Sequence, residues 1–398
     1  MKILYLSSTH SGMHDQSIYF DLMQEFVTNG HEVTIAYARE KRLNLETDYY
    51  KKGNINYLGI KTGNFTKNKN LINKGVSLLT LDSTFTKAIK KYLRNDVYDL
   101  VLYSTPPITF INTLKYIKKN SSDVFIYLML KDIFPQNAVD IGMMKNNGLI
   151  HKFFRRKEKI LYSIVDYIGT MSPGNKDYFI KHNPEFKDKV EILPNAIKLT
   201  HKEISYTKKD LGLDENKVVI VYGGNLGYPQ AIDYLIECAK SVENIPNVQF
   251  VVAGTGSRQE LVTDYINKYN PKNFLYLGQL EKKKYDELVY QSDVGLIFLD
   301  HRFTIPNYPQ RLLSYLEAKI PVIVAADNAT DMGSIAEQNS FGIKVYSQDV
   351  EAFRNAVVKL VNSAELRSEM GNNGYEFLKN NYTVETAYKT IIATKNNK

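Results

Sequence analysis

The sequence predicts an α/β protein made of two Rossmann-like domains in tandem. At 398 residues, the chain suits two hydrophobic cores of ordinary size better than one. Short apolar runs alternate with helical patterns in both halves of the chain. These runs are continuous rather than alternating in polarity, which favours parallel sheets covered by helices on both faces.

Each half has its own series of predicted strands, separated by helical patterns. In the first half the strands are expected at residues 2–7, 32–38, 99–104, 124–130 and 166–171. In the second half they are expected at residues 217–222, 248–253, 274–277, 294–299 and 322–325. A polar stretch at about 198–210 interrupts the pattern and is the best linker candidate. The predicted domains are therefore residues 1–197 and 198–380, and a final helix is expected at 384–394.

Composition limits the class of protein. The single cysteine, Cys238, excludes an internal disulfide and a cysteine-based zinc site, and it fits a small core residue in a reducing, cytoplasmic setting. The sequence contains no apolar run long enough to span a membrane, and its first apolar run is too short for a signal peptide. The net charge of +8 fits a solvated lysine-rich surface, or attraction to an anionic membrane or a phosphate-bearing substrate. No nucleic-acid-binding module is recognisable.

Two glycine-rich segments follow predicted strands of the second half. The first, at 221–227, contains Gly224 and Gly227. Glycine lets backbone N–H groups approach a phosphate, and the alternative is a tight strand-to-helix turn. The second, at 252–258, ends in Arg258, which is expected in the first turn of a helix. A cation is unfavourable there, so a bound anion would explain it.

A third candidate segment is residues 307–318, where a helix is expected to begin near Pro309. Gln310 and Arg311 lie in its predicted first turn, and Ser314 lies about one turn further. Arg311 is either an anion-binding residue or an ordinary surface arginine.

In the first half, residues 10–15 follow the first strand, and Gly12 and His14 are expected at the edge of the sheet where ligands bind. His14 is a catalytic candidate, although a lone histidine is more often structural. Asp132 also follows a strand, and it either orients an acceptor hydroxyl or caps the next segment.

The stretch 145–159 mixes aromatic residues with cations, including Arg155, Arg156 and Lys157. This mixture resembles a helix that lies at a membrane interface. A solvated helix packed through Phe153 and Leu161 explains it equally well.

Several common site motifs are absent from the sequence. It has no Asp-x-Asp triplet, which argues against a nucleotide-sugar enzyme that relies on a carboxylate-bound divalent metal. It also lacks Walker A, His-Glu-x-x-His and Gly-x-Ser-x-Gly motifs. No metal and no cofactor are therefore expected.

Taken together, these segments resemble the family 4 glycosyltransferases over essentially the whole chain. The resemblance rests on a Ser-x-x-x-Gly loop after the first strand and on the segments at 29–33, 193–196, 222–227, 254–256, 277–280, 290–294 and 314–324. It is greatest to the branch that builds bacterial capsule and O-antigen units, including N-acetyl-fucosamine transferases.

The resemblance implies the GT-B fold, with two domains facing across a cleft and the last helix packed back on the first domain. It also implies retention of anomeric configuration without a metal, with the leaving diphosphate taking the acceptor proton. The donor would bind the second domain and the acceptor the first. The residues implied to hold the diphosphate are Gly224, Asn225, Gly227 and Arg258, helped by Gly12. Gly254 and Gly256 are also expected to bind the donor. Gln279 and Leu280 would lie at the edge of the base.

One feature departs from the family pattern. The family usually has two glutamates in the region before Pro321, and the second of them binds the ribose. In this sequence Pro306 stands at the first of these positions and Ser314 at the second. Glu317 and Asp331 are the nearby carboxylates that can substitute.

The sequence therefore predicts a transferase that moves a sugar, most simply an N-acetylamino sugar, from a UDP-sugar to a lipid-diphosphate-linked saccharide. It is expected at the cytoplasmic face of the plasma membrane, bound to an anionic surface. Two alternatives remain at this stage. One is a sugar-nucleotide 2-epimerase, which uses the same double-Rossmann plan. The other is a non-catalytic subunit that binds sugar nucleotides or membranes.

Overall fold

The computed structural model describes residues 1–9, 17–65, 71–200 and 205–398. The chain divides into two compact units. The first unit consists of Met1–Lys198 together with Val384–Lys398, and the second unit consists of Leu199–Thr383.

The first unit is built on a mainly parallel sheet. Its strands are β1 (Lys2–Ser7), β2 (Glu32–Glu40), β3 (Asp48–Lys52), β4 (Ile55–Thr62), β5 (Leu100–Ser104), β6 (Phe125–Leu130), β7 (Tyr167–Thr170) and β8 (Val190–Ile192). Over the described residues they form an eight-stranded sheet in the order β3-β4-β2-β1-β5-β6-β7-β8. Every neighbouring pair is parallel except β3 and β4, which are antiparallel.

Helices cover both faces of this sheet. They are α1 (Ile18–Thr28), α2 (Leu71–Tyr92), α3 (Ile111–Asn120), α4 (Gln136–Asp140), α5 (Leu149–Ile164) and α6 (Pro173–His182), with a 3-10 turn at Pro184–Lys189. Helix α6 begins with a side-chain cap, because the Ser172 side chain accepts the N–H of Asn175 and Pro173 occupies the first helical position. Strands β5 and β6 are buried along their whole length, as their continuous apolar sequences predict.

The second unit contains a fully parallel sheet. Its strands are β9 (Val218–Gly223), β10 (Val248–Ala253), β11 (Phe274–Gly278), β12 (Val294–Phe298), β13 (Val322–Ala326) and β14 (Gly342–Tyr346). In the described part of this unit the order is β11-β10-β9-β12-β13-β14. Its helices are α7 (Ile232–Ser241), α8 (Gln259–Tyr269), α9 (Lys282–Tyr290), α10 (Arg311–Glu317), α11 (Met332–Gln338), α12 (Val350–Val361) and α13 (Ala364–Asn381). Cys238 is a buried core residue of α7, as its sequence context predicts.

The last helix, α14 (Val384–Asn396), belongs to the first unit. Its apolar side chains, among them Ala387 and Ile391, enter the core cluster on the same face of the sheet as α1. The Tyr388 ring packs edge-on against Phe26 with centroids 5.0 Å apart, and its hydroxyl lies 3.0 Å from the His31 Nε2 atom. The C-terminal segment is thereby fastened to the first sheet.

Within the described parts of the chain, no helix combines the length and the apolar character needed to cross a membrane.

Helix α13 packs so closely on the end of α10 that only glycine fits at position 371. A Cβ atom there would lie 1.9 Å from the carbonyl oxygen of Lys319. We therefore expect Gly371→Ala to lower the free energy of unfolding by about 1–3 kcal/mol, because the backbones must separate. Thermal melting measures the effect. The neighbouring exposed Asn372→Ala is the control, and its better helix propensity should leave stability unchanged or slightly higher. Equal melting temperatures for the two variants would contradict this packing.

Candidate functional site

The topology of the second sheet marks one point where ligands are expected. Strand β9 lies between β10 on one side and β12 on the other, so the strand order reverses there. In open parallel sheets, ligands bind beyond the carboxyl ends of strands at such a reversal. The glycine segment that begins at Gly223 lies at this position, because Gly223 is the last residue of β9.

The two glycine loops of this unit touch through their backbones. Gly254 has φ +144°, and a Cβ atom there would lie 1.8 Å from the carbonyl oxygen of Gly224. At Gly256 a Cβ atom would lie 2.3 Å from the carbonyl oxygen of Leu226. Glycine is required at both positions because a side chain would force the loops apart.

Hydrogen bonds between these loops change the expected role of Gly224. Its N–H donates to the carbonyl of Ala253 at 2.9 Å, and the N–H of Leu226 donates to Thr255 at 2.9 Å. The expectation that Gly224 offers a free N–H to a phosphate is therefore wrong, since that group already has a partner. Gly224 and Asn225 are nevertheless exposed, whereas Gly227 is buried. The diphosphate contacts of these three residues remain predictions.

Arg311 lies directly beside the first glycine loop. Its guanidinium carbon is 4.5 Å from the centroid of the Tyr222 ring, and its Nη2 atom is 3.1 Å from where a Cβ of Gly224 would stand. Its Nη1 atom is out of contact with solvent and has no hydrogen-bond partner. Among the described residues, no carboxylate lies within 4 Å of this guanidinium. Arg311 is therefore a cation without a counter-charge at the reversal point of the sheet.

A group of tyrosines that sequence reasoning missed surrounds this arginine. The Tyr315 hydroxyl accepts the N–H of Gly223 at 3.2 Å and also lies 3.2 Å from the carbonyls of Val221 and Leu296, so it bridges β9 and β12. A Cβ atom at Gly223 would lie 2.2 Å from the Tyr285 ring. These tyrosines pack beneath the first glycine loop. Because tyrosine is common throughout this chain, no sequence motif distinguishes them.

Arg258 differs from Arg311 in having a partner. Its Nη2 atom donates to both carboxylate oxygens of Asp233, at 2.9 and 2.8 Å, and its guanidinium lies 5.0 Å from the Tyr228 ring centroid. It stands at the N-cap of α8 rather than in the first turn. A bound anion is therefore not needed to explain Arg258, because Asp233 supplies the opposite charge. Its contact with the donor remains a prediction.

The other predicted donor residues are dispersed over the same unit. Gln310 is exposed and immediately precedes α10, and Ser314 is half-buried within that helix. Glu317 is buried and accepts the N–H of Thr200 at 3.4 Å, so it contributes to the folding of its own unit. Asp331 occupies the N-cap position of α11.

Gln279 and Leu280 follow β11, the edge strand of the second sheet. Gln279 is exposed and Leu280 is half-buried. The N–H of Gly254 donates to the carbonyl of Gly278 at 2.6 Å, which ties this strand end to the second glycine loop.

In the first unit, polar residues gather where β5 and β6 end. The Thr105 hydroxyl accepts the N–H of Lys131 at 3.1 Å, and Asp132 follows directly. The Lys131 Nζ atom donates to the carbonyls of Leu193 and Pro194, both at 3.3 Å. Gly12 and His14, predicted at the neighbouring strand end, lie outside the described residues.

Burial disfavours the charged forms of both side chains after β6. It lowers the pKa of Lys131 to about 7 and raises the pKa of Asp132 to about 6. Asp132 nevertheless keeps an exposed surface, so water that reaches the carboxylate offsets part of this effect. The direction of both pKa changes favours the neutral form of each side chain.

In the described parts of both units, no three His, Cys, Asp or Glu side chains are placed together to hold a metal ion.

Comparison with known proteins gives the class of the protein. Residues 204–377 match the family described as glycosyl transferases group 1. The chain is 21% identical over 282 residues to the probable glycosyltransferase WbjE of Pseudomonas aeruginosa, a match covering 69% of each chain. It is 25% identical over 188 residues to the alpha-galactosylglucosyldiacylglycerol synthase of Streptococcus pneumoniae, covering 44% of this chain and 46% of the synthase. The chain thus matches about half the length of that second relative.

The fold is shared with solved glycosyltransferase structures. An Escherichia coli trehalose-6-phosphate protein bound with UDP-2-fluoro glucose superimposes with a TM-score of 0.75 at 12% identity, covering 99% of each chain. The two units are therefore the Rossmann-like domains of a GT-B fold, as the sequence predicts.

The match of residues 204–377 to group 1 glycosyl transferases and the relatives named glycosyltransferases show that the protein is a transferase enzyme.

The different surroundings of the two arginines predict different effects on stability without ligand. Arg311→Met should leave the free energy of unfolding within about 1 kcal/mol of the parent value, or raise it. The lost contact with Tyr222 is worth about 0.5–2 kcal/mol, and removal of an unsatisfied buried donor offsets it by about 1–3 kcal/mol. Thermal melting without ligand measures this.

Arg258→Met is the matched comparison. It removes a partly exposed ion pair and should cost at most about 1 kcal/mol. A large loss of stability in Arg311→Met alone would show that this side chain is a structural element.

Proposed function

We propose that this enzyme is a metal-independent, retaining glycosyltransferase that moves a sugar from a UDP-sugar to a lipid-linked saccharide in capsule or O-antigen synthesis. The observation that carries the donor half of this proposal is the guanidinium of Arg311. Among the residues that the structure describes, no carboxylate lies within 4 Å of it, and it stands beside Gly224 at the point where the strand order of the second sheet reverses.

An anion is the ligand that this arrangement lacks. In the described part of the chain, the buried Nη1 atom of this half-buried guanidinium has no hydrogen-bond partner, which costs free energy. A phosphate group would supply both the opposite charge and the acceptor for Nη1. Arginine suits this task because its planar fork matches phosphate oxygens. The UDP diphosphate fits the chemistry of the site, and the UDP-2-fluoro glucose complex of the E. coli relative in fold supports that choice.

The same position gives Arg311 a role in the reaction. Negative charge grows on the diphosphate as the bond to the sugar breaks, so an interaction with a fixed cation strengthens in the transition state. In a retaining, metal-free mechanism the leaving diphosphate takes the acceptor proton. Arg311 would then replace part of the charge that a divalent metal supplies elsewhere.

The acceptor half rests on the first unit and on one relative. The polar strand ends at Thr105, Lys131 and Asp132 offer hydrogen-bonding groups for a saccharide. Gly12 and His14 complete the proposed catalytic set. The name of the S. pneumoniae synthase describes a glycosylated diacylglycerol, which supports a lipid-anchored acceptor here. An acceptor in a membrane requires the enzyme to work at an anionic membrane surface.

The donor assignment is tested by comparing the two arginines. UDP should raise the melting temperature of the parent protein by mass action. Arg311→Ala should abolish most of that shift and slow hydrolysis of a UDP-N-acetylamino sugar without acceptor on the order of 30- to 1000-fold, equivalent to about 2–4 kcal/mol.

Arg311→Lys is the conservative control and should recover part of both signals, since it keeps the charge but loses the planar fork. Arg258→Ala should retain the UDP shift. If Arg258→Ala loses the shift and Arg311→Ala keeps it, the diphosphate lies at Arg258 and the assignment fails.

Metal independence is tested by chelation. Donor hydrolysis and transfer to a lipid-linked acceptor should continue in excess EDTA, because the sequence has no Asp-x-Asp triplet to hold a divalent ion. Complete loss of activity that manganese or magnesium restores would rule out this mechanism.

A further inference from the structure

The first turns of α5 expose an unusual amount of apolar surface. Leu149 is 88% exposed, Ile150 64% and Phe153 44%. Phe153 lies three and four residues after the other two, so the three side chains share one side of the helix. Single exposed apolar side chains are common, but contiguous ones on a fixed helix mark a contact surface.

Cations flank these apolar residues. Lys152 and Arg156 are exposed, and the Lys157 Nζ atom lies 5.6 Å from the Phe153 ring centroid. In the described part of the chain, none of the three has a carboxylate within 4 Å. We call Leu149, Ile150, Phe153, Lys152, Arg156 and Lys157 the α5 surface.

The opposite side of α5 is firmly attached to the first unit. Arg155 pairs with the buried Glu158 and donates to Asn183 Oδ1 at 2.6 Å. Phe154 packs edge-on against Phe134 with centroids 5.0 Å apart. The helix cannot rotate to bury Leu149 and Ile150 without breaking these contacts, so the apolar surface faces outward in the folded protein.

We propose that the α5 surface inserts into the interface of an anionic lipid bilayer. Leu149, Ile150 and Phe153 would enter the boundary between headgroups and acyl chains, while the three cations contact anionic headgroups. Unpaired positive charge around an apolar centre is complementary to a bilayer of this composition. The inference deepens the proposed function, because a lipid-linked acceptor places the enzyme at a membrane.

The structure also changes what the sequence predicts for this helix. The sequence indicates a helix at a membrane interface, with Arg155, Arg156 and Lys157 among its cations, or a solvated helix. Arg155 is instead engaged inside the unit, so reversing its charge would disturb the fold. Because apolar insertion is not screened by salt, part of the binding should survive high ionic strength.

Vesicle sedimentation tests the proposal. The parent should bind vesicles containing phosphatidylglycerol far better than vesicles of phosphatidylcholine alone, and a fraction should remain bound in molar salt. Leu149→Ser with Ile150→Ser should weaken binding about tenfold or more and abolish the salt-resistant fraction, since two apolar side chains no longer insert.

A charge variant and a control separate the two contributions. Lys152→Gln with Arg156→Gln and Lys157→Gln should weaken binding on the order of 10- to 100-fold at low salt and little at high salt. Val97→Ser, at a position 64% exposed outside this helix, should bind like the parent. Unchanged vesicle binding by the Leu149/Ile150 variant would overturn the proposal.

Sedimentation velocity without lipid tests the alternative that the α5 surface binds a second copy of the chain. Self-association that the Leu149/Ile150 substitutions abolish, in a protein that does not bind vesicles, would overturn the membrane assignment. The UDP-induced melting shift should be the same in parent and variant. A failure of the donor assignment therefore remains distinguishable from a failure of the α5 surface.

Discussion

The close approach of two glycine loops determines the geometry of the candidate donor site. The carbonyl of Gly224 occupies space that a side chain at position 254 would need, and backbone hydrogen bonds join the loops at Ala253 and Thr255. This contact holds the end of β9 close to the end of β10. It leaves the other side of Gly224 facing the guanidinium of Arg311, so the position of the cation relative to the loop follows from backbone packing.

The presence or absence of a carboxylate partner distinguishes two arginines that have similar sequence contexts. Arg258 and Arg311 both follow strand ends of a parallel sheet and both lie at the start of a helix. Asp233 neutralises the first, whereas the second contacts an aromatic ring and has no carboxylate within 4 Å in the described part of the chain. An unsatisfied cation has the most to gain from an anionic ligand, because the ligand removes a penalty that the folded protein otherwise carries. This difference moves the centre of the proposed diphosphate site from Arg258 towards Arg311.

The two sheets allow such features because their central strands are buried, whereas many residues in the loops at the strand ends are exposed. Strands such as β5, β6 and β12 have no exposed residue, so their sequences serve packing alone. Loops at the strand ends and the outer side of α5 are free to carry charge, glycine or exposed apolar residues. Helix α5 has both kinds of residue. Glu158 and Tyr162 are buried on its inner side, whereas Leu149 is exposed to water.

The sequence by itself determined the fold class, the division into two βα arrays and most central strands, because continuous apolar runs are a local signal of buried parallel strands. It did not reveal β3, β4, β8 or β14. Strand β3 is polar and exposed, and β3, β8 and β14 are edge strands that each depend on a single neighbour in the sheet. Strand β4 is mostly buried and lies between β3 and β2, so it was missed despite its interior position. The two-residue Gly53-Asn54 turn between β3 and β4 is a sequence signal for a β-hairpin. The sequence also located the glycine loops and named Arg311 among the candidates. Only the tertiary structure decided which N–H groups were already bonded, which arginine lacked a partner and which side of α5 faced outward. Each of these properties depends on a contact between residues that are distant in the chain, such as Gly224 with Ala253 and Arg155 with Asn183. A local sequence pattern carries no information about such contacts.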